Sequence, residues 1–430
     1  MHNKNIANAG WIIGCKLIQA ILGVIISMLT ARYLGPSNFG LTNYAAAVVA
    51  FVAPIAALGL SHILVQEIIY SPECEGKILG TSLVMSFVSS VICILGVLAF
   101  SFLTTPGDIE AILVCGLYSL LLLSKALENV QYWFQAKLMS KYTAVVSVIA
   151  YILISIYKAI LLLTKKSVYW FAVANALDHM MIGIVLLVIY ERKSDQRLRF
   201  SFSWARHLFS RSKFFILSSM MVTIFAQTDK IMLKFLIDES ATGIYSAASA
   251  CASMTSFVFS AIMDSMRPTI VGYKKEASPL YERSLLMLYS IIIYLALAQN
   301  LAMTLLAKPI IRILYGSAYD ASIPALRIIV WYTTFSYVGS VRHVWMLAEG
   351  KERYIWKLNL AGALTNVVLN MALIPIWGIN GAALASVLSQ MFTNVGLGFL
   401  VKTIRYNNHI MMKSLHPRYL VDIVKIVLRK

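Results

Sequence analysis

Long apolar runs separated by short polar breaks follow one another along almost the whole chain. Each is close to the roughly 20 residues a helix needs to cross a hydrocarbon core. About twelve such segments lie near 9–33, 41–64, 78–103, 109–127, 143–163, 168–190, 214–236, 243–271, 284–306, 323–347, 357–375 and 378–400. The longest connection, ERKSDQRLRFSFSWARHLFSRSK over 191–213, divides them into halves of about six. The pattern predicts an all-α polytopic membrane protein. Residues 1–190 form one six-helix lobe, 191–213 a basic cytoplasmic linker and 214–402 a second lobe. A cytoplasmic tail over 403–430 follows. The last run, SLHPRYLVDIVKIVLRK, is too short to span. Its Leu420, Val421, Ile423, Val424, Val427 and Leu428 recur at helical spacing, so a basic amphipathic helix on the anionic leaflet is expected. Part of 191–213 is expected to lie in the interface in the same way, through Phe200, Phe202, Trp204 and Phe209.

Two stretches match across the halves. Arg32-Tyr33-Leu34, Gly40-Leu41-Thr42 and Ala45-Ala46 resemble Lys234-Phe235-Leu236, Gly243-Ile244-Tyr245 and Ala247-Ala248, with one inserted residue. Trp133, Ala136, Lys141 and Tyr142 align without a gap on Trp345, Ala348, Arg353 and Tyr354. Each pair sits at an equivalent place in its half. An even number of spans per repeat makes both halves point the same way, which predicts a pseudo-twofold axis along the membrane normal.

Composition agrees with this picture. The chain has 430 residues, 59% hydrophobic and 13% charged, with mean hydropathy +0.76. Soluble domains carry about a quarter charged residues. The net charge of +18 suggests nucleic acid in a soluble protein. Here 27 of the 37 lysines and arginines fall on one set of loops, which places both termini in the cytoplasm and accounts for the excess without nucleic acid. The five cysteines are scattered through apolar runs without metal spacing. The first run is too long, and lacks the small-residue site, for a cleavable signal.

No hydrolytic or metal motif appears. Gly76-Lys77-Ile78-Leu79-Gly80-Thr81-Ser82 lacks P-loop order. Candidate chemistry is therefore the intramembrane charges. Each costs about 2.5–3.5 kcal/mol at a helix centre and tends to face a cavity or a partner. Lys16, Arg32, Lys158, Lys230, Arg267 and Arg342 are candidate cleft cations for an anionic substrate. Lys16 reads equally as a residue snorkelling to the inner interface, and Arg267 as a helix salt bridge with Asp264. Asp178, His179 and Asp229 are candidates for ion coupling, with a buried hydrogen-bonded pair as the structural alternative. Asp229 and Lys230 are neighbours, so they point about 100° apart and do not pair. Their counterparts in the first repeat are uncharged, among Ile26, Ser27 and Met28.

ARYLGPSNFGLTNYAAA (31–47), APIAALGL (53–60), TDKIMLKFLIDESATGIYSAAS (228–249), AYDASIPALRI (318–328), LAEGKERY (347–354) and LNLAGALTNVVLNMALIPIWGINGAALASVLSQ (358–390) resemble polysaccharide repeat-unit flippases. These are the Wzx-type O-antigen or capsule exporters of the MATE-like superfamily. The last stretch, with its LIP-x-x-G-I-x-GAA pattern, is the most specific. The resemblance implies a MATE-like protein of the bacterial inner membrane. It would carry an undecaprenyl-pyrophosphate-linked oligosaccharide to the periplasmic leaflet for O-antigen or lipopolysaccharide synthesis, with no catalytic site and no cofactor. A proton or sodium gradient would drive it. Its partners would be membrane lipids, a polysaccharide polymerase and a chain-length regulator. A MATE-like cation-coupled small-molecule exporter is the alternative. A repeat-unit polymerase or ligase is a third reading, disfavoured because the longest loops are cytoplasmic.

Overall fold

The computed structural model describes residues 2–416 and 418–419, with side chains from Gln19 onward except at 20, 21 and 352. Every regular element among them is helical. They are α1 (His2–Ala56), α2 (Leu64–Tyr70), α3 (Glu75–Thr104), α4 (Ile109–Leu127), α5 (Gln131–Ala136), α6 (Ser140–Leu163), α7 (Val168–Lys193), α8 (Phe202–Leu236), α9 (Glu239–Ser253), α10 (Ser256–Lys275), α11 (Leu280–Leu314), α12 (Ser322–Ala348), α13 (Ile355–Met391), α14 (Leu397–Leu400) and α15 (Lys402–Ser414). The chain forms two compact units, Met1–Gln227 and Thr228–Lys430, and the boundary falls inside α8.

Eight stretches are long and apolar enough to cross a membrane, and the α9–α10 pair, bent by 41°, makes a ninth. Two of the eight are doubled. Non-helical residues interrupt α1 at Gly35 (φ 71°) and α13 at Gly378 (φ 55°). Adding α12 gives twelve segments among the described residues, each on one of the expected runs. Side-chain burial is inverted relative to a soluble helix. On α3, Thr81, Ser82, Ser86, Ser89, Ser90 and Cys93 are buried, while Phe87, Ile92, Leu95 and Phe102 are at least half exposed. Small polar residues let helices approach and bond, and lipid solvates the large apolar ones. The protein is a multi-pass membrane protein.

The first unit packs around Leu60, Leu64, Ile78, Trp133, Phe134 and Tyr190. The second packs around Phe259, Leu285, Tyr289, Ile292, Val341 and Trp345. Both tryptophans sit at the same helix terminus, repeated bond for bond. Lys137 N and Glu349 N donate to Trp133 O and Trp345 O, both at 3.0 Å. Met139 N and Lys351 N close the cap on Phe134 O and Met346 O, both at 2.7 Å. The left-handed residue of the cap is Gly350 (φ 64°) in one unit and Leu138 (φ 58°) in the other. Beyond this cap in the second unit, Glu349 takes hydrogen bonds from Lys274 (2.7 Å) and Tyr281 (3.0 Å). Burial pushes its carboxyl up, but these donors outweigh burial and hold it below the usual carboxylate range. The other repeated stretch holds the breaks. The first unit turns at Gly35 followed by Pro36, and the second at Asp238, whose carboxylate caps α9 through Ala241 N at 2.7 Å.

The basic segment after α7 is strapped to its own unit. Residues 194–201 are non-helical and lie along the start of α3. Arg199 N donates to Gly76 O (3.1 Å), Gln196 Oε1 accepts from Gly76 N (3.0 Å), and Ser201 N donates to Thr81 Oγ1 (3.0 Å). The Gly-rich sequence is thus a landing strip. A Cβ on Gly76 would sit 2.5 Å from Arg197 O, and one on Gly80 2.6 Å from Arg199 N. Helix resumes at Phe202 and continues directly into the seventh span, with Phe200, Phe202 and Phe209 exposed. In the tail, α15 docks on α11 through Tyr289 OH to Asn407 (2.9 Å) and Ser290 Oγ to Ser414 O (2.7 Å). The amphipathic run expected over 414–430 lies mostly outside the described residues.

Gly80→Leu is expected to lift the strap and lower the melting temperature of the purified protein by several degrees. Gly96→Leu on the same helix, where no atom lies within 4 Å, should leave it unchanged.

Candidate functional site

Asp229 in the second unit is 6% exposed and is surrounded by donors. Tyr245 of α9 and Ser386 of α13 donate to Oδ2. Asn370 Nδ2 (2.5 Å) and Asn366 Nδ2 (3.1 Å), both of α13, donate to Oδ1. The four partners are themselves buried. Hydrogen bonds to an ionised acceptor are about twice as strong as neutral ones, and four of them replace much of a carboxylate's hydration. Asn366 and Asn370 share a face because they are one helical turn apart. Ser386 reaches the same carboxylate only because α13 folds back at Gly378. Sixteen residues of straight helix would hold Asn370 and Ser386 roughly 24 Å apart. The LIP-x-x-G-I-x-GAA pattern is this fold-back, and a Cβ on Gly381 would collide with Leu373 O. Asn370 Oδ1 is buried without a partner. The cluster is rich in oxygen, and no group of three or more His, Cys, Asp or Glu residues among the described residues forms a transition-metal site.

The first unit holds the matching place with different chemistry. Carrying the register of the two repeated stretches along the chain pairs Ser27 with Asp229, Thr42 with Tyr245 and Lys158 with Asn370. All three first-unit residues line one cavity of 260 Å³, between both halves of α1 and helices α4, α6 and α7. Lys158 Nζ donates to Asn175 Oδ1 (2.8 Å), and Asn175 Nδ2 donates to Tyr118 OH (3.1 Å). Thr30, on the cavity wall, has a buried hydroxyl without a partner among the described residues. No acid lines the cavity among the described residues, and the buried Asp178 of α7 lies within electrostatic reach of Lys158. The repeat thus carries an acid among donors in one unit and a base among hydroxyls in the other.

The remaining sequence candidates do not share one network. Lys230 is half-buried beside Asp229, with only its carbonyl engaged, by Thr242 Oγ1 at 3.2 Å. Arg342 is 3% exposed and turned inward. It donates to Thr393 O (3.0 Å), Asn394 O (3.3 Å) and Asn394 Oδ1 (2.6 Å), bracing the π turn at Phe392–Gly396. Arg267 pairs with Asp264 at 3.3 Å on one exposed face. Arg32 is exposed just before the Gly35 break. The Lys16 side chain lies outside the described residues. His179 meets Glu128 at 2.7 Å, whereas Asp178 Oδ1 is buried without a hydrogen bond. Sequence reading missed Tyr245, Asn366, Asn370 and Ser386. The one available signal was the Asn-x-x-x-Asn spacing in an apolar helix.

A family model described as "Polysaccharide biosynthesis protein" matches residues 6–274. The chain belongs to this family. It is 21% identical to the capsular polysaccharide biosynthesis protein CapF of Staphylococcus aureus, over 93% of this chain and all of that protein. It is 23% identical to the probable flippase AglR of Haloferax volcanii, over 89% and 80% of the two chains. An uncharacterized membrane protein of Methanocaldococcus jannaschii is 27% identical over 51% of this chain, and the match spans 46% of its length. Among solved structures, an inward-facing multidrug resistance MATE transporter of the MOP superfamily aligns with TM-score 0.70 at 14% identity. That alignment covers 92% of this chain and 96% of the other. The lipid II flippase MurJ, inward closed, aligns with TM-score 0.70 at 16% identity, over 96% and 92%. The expected MATE-like, all-α fold of about twelve membrane helices is the fold observed.

Asp229→Ala would leave four buried donors without their shared acceptor, each worth about 1–3 kcal/mol. A clear drop in melting temperature is expected. Lys230→Met removes a cation without a side-chain partner among the described residues. It should leave the melting temperature equal or higher.

Proposed function

We propose that the protein is a flippase for a lipid-linked oligosaccharide, moving undecaprenyl-pyrophosphate-linked repeat units of O-antigen or another surface polysaccharide. Transport runs by alternating access from the cytoplasmic to the periplasmic leaflet of the bacterial inner membrane, with both termini cytoplasmic. Residues 1–190 and 214–402 are the two lobes, and 191–213 joins them. Membership of the polysaccharide biosynthesis family carries this reading, and the Lys158 ammonium on the wall of the first unit's cavity supports it. A pyrophosphate anion suits Lys158. A multidrug-type exporter of organic cations would be better served by an acid there.

Asp229 is the coupling group in this reading. A carboxylate held by two hydroxyls and two carboxamides can exchange a donor for a proton. With the amides turned, the same oxygens can hold a hard monovalent cation such as sodium. Binding there stabilises one arrangement of α8, α9 and α13, which is the differential interaction that any coupled transport requires. A polymerase and a chain-length regulator would use the delivered product.

Deletion in the native host tests the function. The expected result is loss of surface polysaccharide, with lipid-linked repeat units accumulating on the cytoplasmic side. Normal polysaccharide in the deletion strain would sink the proposal. Asp229→Asn, at matched protein level, should lower export at least tenfold.

A further inference from the structure

Arg342 of α12 is buried, and its guanidinium makes no ion pair among the described residues. Its hydrogen bonds go to neutral oxygens, Thr393 O, Asn394 O and Asn394 Oδ1. A neutral donor could brace the same oxygens, so bracing accounts for the bonds and leaves the charge unexplained. A buried charge without a counter-ion is expensive. The surroundings give it a place. Beyond Gly378, α13 carries Ser386 and Gln390, and Asn394 follows in the π turn, each four residues after the last and all buried. Ser386 donates to Asp229, Asn394 Nδ2 donates to Gln390 Oε1, and Arg342 Nη2 donates to Asn394 Oδ1 (2.6 Å). Tyr332 of α12 lies within reach of both Gln390 and Asp229. A Cβ on Gly339, one turn before Arg342, would collide with the Asn394 amide, so α12 is pressed against this face. A polar line thus runs about 12 Å along α13, from Asp229 to Arg342. Asn370 Oδ1, Thr393 Oγ1 and Arg342 Nε are buried on it without partners among the described residues. Beyond Arg342, Tyr289 and Asn407 continue the line to α15, where Asn407 Nδ2 and Asn408 Nδ2 are orphaned in the same way. Buried polar atoms of this kind are sites for water.

We propose that Arg342 is an electrostatic barrier on this line, keeping a cation bound at Asp229 from reaching the cytoplasm through the interior of the second unit. The inference rests on the coupling role given to Asp229 above. Coupled transport requires that the bound ion leave only through the conformational change. A hydrated line from Asp229 to α15 would let it leave without one, and the gradient would dissipate with no substrate moved. Carboxamides and hydroxyls can solvate sodium, and water between them can relay protons, so Gln390 and Asn394 alone are no obstacle. A fixed guanidinium repels both ions, most strongly where low dielectric leaves it unscreened. An arginine also keeps its proton at every physiological pH. An acid beside it would cancel the repulsion, and among the described residues none pairs with it. In the orientation set by the lysine and arginine bias, Asp229 lies in the outer half of its span and Arg342 toward the inner end of α12. The barrier therefore stands on the cytoplasmic side of the site.

The test is passive ion uptake by proteoliposomes that hold the full-length protein without substrate. Radiolabelled sodium is followed under an inward sodium gradient, and internal acidification under an inward proton gradient. Wild-type protein should be tight. Arg342→Gln removes the charge, and Asn394→Asp places a carboxylate against the guanidinium with little change of shape. Each should raise uptake of sodium or of protons at least fivefold, and Arg342→Lys should stay near wild type. Asn394→Asp keeps the bracing hydrogen bonds and should keep the melting temperature, so it carries the test even where Arg342→Gln does not fold. Asn394→Asp/Asp229→Asn should return to the wild-type rate, which a general loosening of the fold would not do. Wild-type tightness in Asn394→Asp overturns the inference. If Asp229→Asn still lowers export, the coupling role of Asp229 stands without it. A leak that persists in the double variant does not pass Asp229 and overturns the barrier, and normal export in Asp229→Asn overturns the coupling role with it.

Discussion

A carboxylate within a membrane span must bring its own solvation. Moving it out of water costs several kcal/mol even after relaxation, and only directed donors offset that cost. At Asp229 the donors come from three stretches: Tyr245 of α9, and Asn366–Asn370 and Ser386 on the two arms of α13. This requirement explains much of the second unit. The arms of α13 must run back on each other, so the chain needs a residue at φ 55° and a close approach at Gly381. Asp238 must end α8 and start α9 so that Tyr245 comes round to face the acid. The apolar helices can slide or rotate at small cost, but this cluster fixes one register.

The first unit has the same scaffold without that constraint. Where an acid would need four donors, Ser27 needs none, and the space left open is a cavity. Where Asn370 points an amide at the acid, Lys158 points an ammonium at Asn175. Changes at these matching positions invert the electrostatic character of the repeat while its caps stay superimposable, down to the hydrogen bonds around Trp133 and Trp345. Helix packing and site chemistry are therefore separable in this fold. The tryptophan caps and small-residue contacts hold the helices, and a few side chains facing inward decide which ion is welcome.

That separation also explains what could be read from the sequence. Run length and turn residues are local, so twelve segments, the polar gaps between them and the tryptophan repeat were visible in the order of residues. Facing is not local. Asp229 and Lys230 are adjacent yet have different surroundings, and nothing in the sequence says that Tyr245 turns toward the first while the ammonium of the second has no hydrogen bond among the described residues. Arg342 reads as a lining cation by depth alone. Its guanidinium is committed to the backbone of the π turn, whose freed carbonyls are invisible in an apolar run.

The fold-backs at Gly35 and Gly378 join paired membrane helices through single non-helical residues rather than loops. A hairpin tip of that size has no slack. One added residue rotates the following helix by about 100° and turns every inward side chain beyond it to a new neighbour. Tags, crosslinking probes or fluorescent reporters belong instead at the wider connection around 164–167, where the same repeat joins α6 to α7 through a short loop. The two units thus differ in how much length variation their hairpins can absorb.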